Sequence, residues 1–448
     1  MARAALLDET IGAAAPPART GGYAWYLVAL LAVANGISFL DRGFINLVLE
    51  PVRKSLGLTD TQMGLVIGPA FILFYSTVSL PLAALADRYN RKWLIVTGIL
   101  FWSACAIATG FAHNMTTLAL ARMGLGLGEA ALVPAGVSLI SDRFARARIG
   151  RAVSTFTAGG IFGGSLAAFG GGFLMLWLSG LRPGGLEPWQ VAFILIALPG
   201  PIVALVIALT VREPLRVGRA DAIAPSGLIA ALRYLGGEGR VLLIAIVGFA
   251  LMSAASGISS WMATFYIRTY GLTPGQVGPI LGGISIVLGF PGTVLGGHLT
   301  DLLRRRGRED ASILVAVATL AAILLILLVL PHTGRASWSF ALAVPLAFLL
   351  VMMFGVAHPG IVLAAPPRLR SQAVAIYLLL ANLIGIGVVP VVIPLLTERL
   401  FRDPLALRHA LSLTALIFLP CAMAVLLGVR PRFVAHVERL KAFTGDLA

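Results

Sequence analysis

The chain alternates between apolar runs of roughly twenty residues and short polar, mostly basic joints. Each run is long enough for a helix to cross the hydrocarbon core of a bilayer. Twelve can be marked, over residues 23–49, 61–85, 93–112, 115–140, 150–178, 190–211, 241–267, 274–300, 312–330, 338–365, 371–396 and 405–428. The longest polar interruption falls mid-chain and holds Arg212, Arg216, Arg219, Arg233 and Arg240. Within it "SGLIAALRYL" reads as a short surface helix. The pattern predicts an all-α polytopic membrane protein with twelve transmembrane helices in two six-helix bundles. Its parts are a tail at 1–22, a bundle at 23–211, a linker at 212–240, a bundle at 241–429 and a second tail at 430–448.

Composition agrees. Of 448 residues 58% are hydrophobic and only 12% charged, with mean hydropathy +0.94. The net charge of +15 would suit nucleic acid, but the basic residues lie in short loops between spans, so no nucleic-acid partner is expected. Their distribution sets orientation instead. With the N-terminus inside, 24 Lys and Arg fall on the cytoplasmic side and 8 outside. That places both termini, the linker and both tails in the cytoplasm of a cell (inner) membrane protein. The first residues carry Asp8 and Glu9 and no apolar core, which reads as a polar tail and not a signal peptide. Trp25, Trp93, Trp177, Trp189 and Trp338 fall near span ends, as membrane-interface aromatics do. Cys105 and Cys421 read as small buried residues. His113, His298, His332 and His358 fall near span ends without paired ligand spacing, so no metal is assigned.

Four charges remain inside the predicted spans: Asp41, Arg42, Arg122 and Glu129, all in the first half. Charges there are costly, and a functional role is the default reading over an ion-pair network that only fixes packing. Asp41 lies eight residues before the end of span 1, about 12 Å deep. Arg122 lies seven residues into span 4, about 10 Å deep, so the two could pair. Glu129 follows two turns later on the same face, nearer the midplane. Asn35, Ser38, Arg42 and Asn46 form one polar stripe along span 1, as on a helix lining a watery cavity. Arginine keeps its proton in proteins whereas a carboxylate can release one. Asp41 and Glu129 are therefore candidate proton carriers. Arg42 and Arg122 are their counter-ions or an anion-binding pair. Tyr75, Ser79, Trp261, Met352, Phe354 and Tyr377 are candidate cavity lining beside Asn35, Ser38 and Asn46. Gly159/Gly163, Gly160/Gly164, Gly278/Gly282 and Gly292/Gly296 have GxxxG spacing, expected to allow close packing and sliding between the halves.

Several segments resemble a known family. "AALADRYNRK", Ala83 to Lys92, resembles the signature loop of the major facilitator superfamily, with Ala83 and Asn90 where glycines are usual. "GHLTDLLRRRGR" from Gly297 is similar to its degenerate second copy, and "LALARMGLGLGEA" to the Arg-and-glycine motif of the fourth helix. "FLDRGFINL", "DRYNRK" and "RMGLGLGEAAL" together resemble the spinster-like branch. The anion:cation symporter branch also pairs "DR" in span 1 with Arg and Glu in span 4. The resemblance implies the superfamily fold, alternating access and, in animal relatives of the spinster branch, export of lysolipids or sphingoid phosphates. It also implies a cytoplasmic gate at Asp87, Arg88, Arg91, Asp142, Arg151 and Asp301.

Charge on one wall and apolar residues on the other suit an amphipathic cargo, anionic or zwitterionic at its head and lipid-like or drug-like in its body. The expectation is a monomeric proton-coupled secondary transporter, not an enzyme. Its partners are the bilayer and its substrate, and it needs no cofactor beyond protons as coupling ion. The alternatives are a proton-coupled symporter of small organic anions and a lipid scramblase.

Overall fold

The computed structural model describes residues 21–213, 225–366 and 369–445, and every regular element among them is helical. The tail at 1–20, linker residues 214–224 and residues 446–448 lie outside the described residues. Helix is the required solution, since backbone groups in hydrocarbon must be satisfied within the segment.

Twelve helices are long and apolar enough to span a membrane. They are span 1 (Gly22–Leu47), span 2 (Asp60–Ala86), span 3 (Arg91–Gly110), span 4 (Met115–Ser141), span 5 (Arg148–Trp177) and span 6 (Pro188–Thr210). The second half comprises span 7 (Arg240–Tyr270), span 8 (Pro274–Arg305), span 9 (Ala311–His332), span 10 (Ala336–Ala364), span 11 (Arg370–Phe401) and span 12 (Pro404–Leu440). With an even number of spans, the described chain starts and ends at one face, called here the terminal face. The joint after span 1 lies at the opposite face. A surface helix does occupy the linker, at Pro225–Gly236.

Starts and stops are written locally. Thr59 and Gln62 form a capping box before span 2, as do Thr273 and Gln276 before span 8. Asn90 accepts the Trp93 N–H at the start of span 3. Pro188 and Pro274 sit in first turns, where no donor is missed.

Two spans are irregular. Span 7 is three pieces, Arg240–Leu251, Ala254–Ser259 and Met262–Tyr270. Span 11 contains π-helical turns at Leu383–Val388 and Leu396–Phe401. The breaks are stitched together: the Trp261 indole donates to the Pro390 carbonyl at 3.0 Å, and the Ser253 hydroxyl to that of Ala381 at 2.7 Å.

The last helix runs on past the expected boundary at 430. It covers Leu407–Gly445, with Phe433 and Val437 buried, so most of the expected tail is packed helix. Arg430 pairs with Asp310 at 2.5 Å, and His436 meets the Ala364 carbonyl at 3.0 Å. The reading of Trp189 is corrected. It is 2% exposed and donates to the Ser55 hydroxyl at 2.8 Å, so it is a core residue and not an interface aromatic. Trp93, Trp177 and Trp338 are exposed, as expected.

The glycine motifs divide. A Cβ on Gly159 or Gly163 would run into the backbone of Ala32 or Gly36, so this pair seats span 5 on span 1 within one half. Gly292 and Gly296 seat span 8 on span 10 at Phe348 and Met352, also within one half. Only Gly278/Gly282 work between halves, against Ala168 and Phe169 of span 5. The expected sliding seam is thus one of the four pairs. Gly159/Gly163 and Gly292/Gly296 are contacts within a half, where small residues let backbones approach, while Gly160 meets the Asn35 and Phe39 side chains and Gly164 open space.

Among the described residues, the glycine-lined contacts between the halves gather towards one face. Spans 5 and 8 touch from Leu176 and Gly275 down to Ile161 and Gly289. Spans 2 and 11 touch at Gly64 with Pro390, Gly68 with Ile386, and Ile72 with Gly387. These contacts occupy the part of the bundle nearer the opposite face, so the described state is open towards the terminal face.

Candidate functional site

The four intramembrane charges assemble into two crossed pairs. Arg122 Nη1 meets Asp41 Oδ2 at 3.3 Å, joining spans 4 and 1. Arg42 meets Glu129 through both Nε and Nη2. Neighbours in sequence thus bind different partners, since adjacent helix positions point about 100° apart. The side chains of Asp41, Arg122 and Glu129 are 4%, 2% and 0% exposed, while Arg42 is 18% exposed. Arg42 is therefore the one member of the four that meets open space.

The seat of Arg42 is aromatic. Its guanidinium carbon lies 4.9 Å from the ring centre of Phe39, 4.5 Å from Phe71 and 4.7 Å from Tyr75. Such contacts contribute roughly 0.5–2 kcal/mol each, the larger value when desolvated. The pairing is incomplete elsewhere. Asp41 Oδ1, Glu129 Oε1 and Arg122 Nε are buried with no partner among the described residues. Each acid keeps one carboxylate oxygen free to hold a proton. The Arg122–Asp41 pair follows from depth counting. The Arg42–Glu129 pair is the one the sequence reading lacks, because a long side chain reaches from its own stripe to the next helix.

The expected cavity lining needs correction. Asn35 is buried and donates to the Phe156 carbonyl of span 5 at 3.2 Å, and Ser38 is buried beside it. Asn35 thus faces helix packing, while Ser38 lies against the Glu129 carboxylate. Trp261 is fully buried in its bond to Pro390, Met352 is packed on Gly296, and Tyr377 is buried against the His358 ring at 5.3 Å. These three are core residues. Their apolar character serves packing as well as lining, and composition does not separate the two. His358, expected near a span end, lies six residues inside span 10. Asn46, Tyr75 and Ser79 are half-buried, and Phe354 is exposed.

At the terminal face Arg91 is buried. It binds Asp142 at 2.5 Å, Ser138 at 2.9 Å and Glu213 at 2.7 Å. Arg151 lies 5.7 Å from the Trp25 ring, and Arg88, Arg151 and Asp301 are exposed. The described pairs of Arg91, Asp142 and Arg151 join residues of the first half and the start of the linker, with no partner from the second half. The Asp87 side chain lies outside the described residues.

The opposite face holds a cluster that sequence reading passed over. Arg268 of span 7 binds Glu50 and Asp60, each at 2.6 Å, and Arg53 binds Glu50 at 2.9 Å. Glu398 of span 11 accepts the backbone N–H of Asp60 at 2.5 Å and of Thr61 at 3.2 Å, and the Thr61 hydroxyl. The partners are more than 200 residues apart, and loop counting treats Arg53 and Arg268 only as charge. The lone clue is that Asp60 and Glu398 stand at span ends.

Comparison with known proteins follows the same lines. The sequence model of the Major Facilitator Superfamily matches residues 31–390. An MFS-type efflux pump of Mycolicibacterium smegmatis is 26% identical over 391 residues, spanning 85% of this chain and 86% of that one. A probable L-galactonate transporter of Escherichia coli (strain K12) is 28% identical over 290 residues, 62% of each chain. A crystal structure of a bacterial homolog to the human lysosomal transporter spinster, inward-facing and occupied, matches with TM-score 0.77 at 25% identity. It covers 93% of this chain and 99% of that chain.

Proposed function

Starting from a chain that belongs to the Major Facilitator Superfamily and resembles its spinster branch, we propose that it is a proton-coupled secondary transporter. It moves an amphipathic small molecule with an anionic or zwitterionic head by alternating access. The family and fold are those of transporters, and the chain is a multi-pass membrane protein. Loop charge makes the terminal face cytoplasmic in this reading, so the described state is open to the cytoplasm.

One observation carries the proposal: two acid–arginine pairs sit at the depth where the contacts between halves end, and a single member, Arg42, meets open space. In the proposed cycle Glu129 holds Arg42 while ionised. A proton on Glu129 cancels the attraction and frees the guanidinium for an anionic head group. Deprotonation draws Arg42 back to Glu129 and expels the head. Asp41 and Arg122 behind them fix the geometry and offer a second protonation site. The apolar body of the cargo lies against the second half, whose span interiors carry no acid and no Lys or Arg.

Reconstituted protein supplies the test. Proteoliposomes with and without a pH gradient should show gradient-driven uptake for the wild-type chain. Asp41→Asn and Glu129→Gln should remove much of the gradient-driven part of that uptake, because an amide cannot take up and release the proton. Unaltered pH dependence in both variants sinks the coupling. A second reading, symport of small organic anions, is favoured by the likeness to the probable L-galactonate transporter. Parallel flux of a lysolipid and a hexonate separates the two. Gradient-independent lipid flow would instead mark a scramblase.

A further inference from the structure

The opposite face is held by two side chains of the second half acting on two targets in the first. Arg268 projects from the last piece of span 7, and its side chain is 6% exposed. It donates Nε and Nη2 to Glu50 and Nη1 and Nη2 to Asp60, all between 2.6 and 2.8 Å. Glu50 stands in the short helix Leu49–Leu56 that follows span 1, and Asp60 opens span 2. The two carboxylates are 3% and 5% exposed. Glu398 projects from the final π-helical turn of span 11. Its carboxylate takes the free N–H groups at the start of span 2, where backbone donors lack helical partners and the helix dipole favours an anion.

We propose that Arg268 and Glu398 form a two-armed latch that must break before the opposite face can open. Both arms belong to one half and both targets to the other, so a rigid rotation that parts the halves breaks all of these bonds together. The arms are also unequal. Arg268 supplies the cation that holds Glu50 and Asp60 side by side. Without it the two acids keep Arg53 and the largely exposed Lys54. Parting the halves then returns both buried acids to water, which favours the parted state. Glu398 adds a helix cap that water can replace once the face is open. The breaks in spans 7 and 11 lie just behind the arms and are joined by the Trp261–Pro390 bond, so the arms can move as one unit.

The inference rests on the alternating-access reading but not on proton coupling. Its test is conformational. Ile72 is 1% exposed, on span 2 against Gly387 of span 11, beneath the latch. In a chain carrying Cys105→Ser, Cys421→Ser and Ile72→Cys, a membrane-impermeant thiol reagent is applied from the opposite face. Arg268→Ala should raise the labelling rate about tenfold, a shift of ~1.4 kcal/mol. Glu398→Gln should raise it by a smaller factor, and Arg268→Lys should stay nearer the parent. If Arg268→Ala does not fold, as read by gel filtration, Glu398→Gln decides. Parent-like labelling in a folded Arg268→Ala protein, or in Glu398→Gln if only that folds, overturns the latch. A labelling rise together with pH-independent flux overturns the coupling alone.

Discussion

At Arg42 one residue serves two neighbourhoods: an aromatic seat of Phe39, Phe71 and Tyr75, and the carboxylate of Glu129. Removing the guanidinium leaves Glu129 buried and unpaired, which typically costs about 3–5 kcal/mol. Arg42→Ala should therefore lower the melting temperature in detergent. Adding Glu129→Gln to it should recover most of the loss, because the uncompensated charge goes with it. A double variant no more stable than the single one contradicts the pairing. Arg42→Lys keeps the charge but loses the planar fork, and should retain folding while losing flux. The existence of this site is legible from residue type and depth, since Asp41, Arg42, Arg122 and Glu129 are the charges within the first half's spans. The lining is not. Trp261, Met352 and Tyr377 are apolar residues in apolar helices, and lipid tails, cavity and core ask the same of a side chain.

At the scale of elements the seam between spans 1 and 5 gives a paired prediction. A Cβ at Gly163 collides with the Gly36 backbone, whereas one at Gly164 meets nothing within 4 Å. Gly163→Ala should cost about 1–3 kcal/mol, read as a fall in melting temperature. Gly164→Ala should be neutral or gain up to about 1 kcal/mol from lost chain entropy. Equal effects at both positions contradict the seam. Twelve helices and most of their ends can be read from the apolar runs, because length and hydropathy directly reflect the bilayer. Which helix a glycine pair meets cannot. GxxxG spacing marks a close approach without naming its partner, which is why only one of the four pairs lies between halves.

For the whole molecule, the proposed cycle puts pH sensing at the charge site and leaves the latch insensitive near neutrality. Burial acts to raise the Glu50 carboxyl, but hydrogen bonds from Arg53 and the charge and bonds of Arg268 outweigh it and hold it below the ordinary 4.5. A group depressed in this way stabilises the fold above its unfolded value, and that stability is lost as pH falls through the depressed value. The charged groups around it are Arg53, Lys54 and Arg268, with Asp60 sharing Arg53 and Arg268. Opposite-face labelling of Ile72→Cys, normalised to an exposed cysteine, should stay flat from pH 8 to about 5 and rise only below 4.5. A rise between about pH 7 and 6 would show that a proton bound outside the latch governs this face. The latch itself escapes sequence reading, since nothing in a single chain pairs residue 60 with residue 268 or 398 before the fold does.

The depth of Glu129 also has an electrical meaning. Fourteen residues separate it from Met115 at the opposite face, about 21 Å of a hydrocarbon core of about 30 Å. With the terminal side open to water, most of the transmembrane voltage falls across the closed, tightly packed layer between Glu129 and the latch. On the proposed cycle a proton exchanged through the terminal side then crosses little of the field. One that arrives after the latch breaks crosses most of it, at up to about 2.3 kcal/mol per 100 mV. The two half-cycles would differ in voltage sensitivity, and the steep one is the one the latch governs.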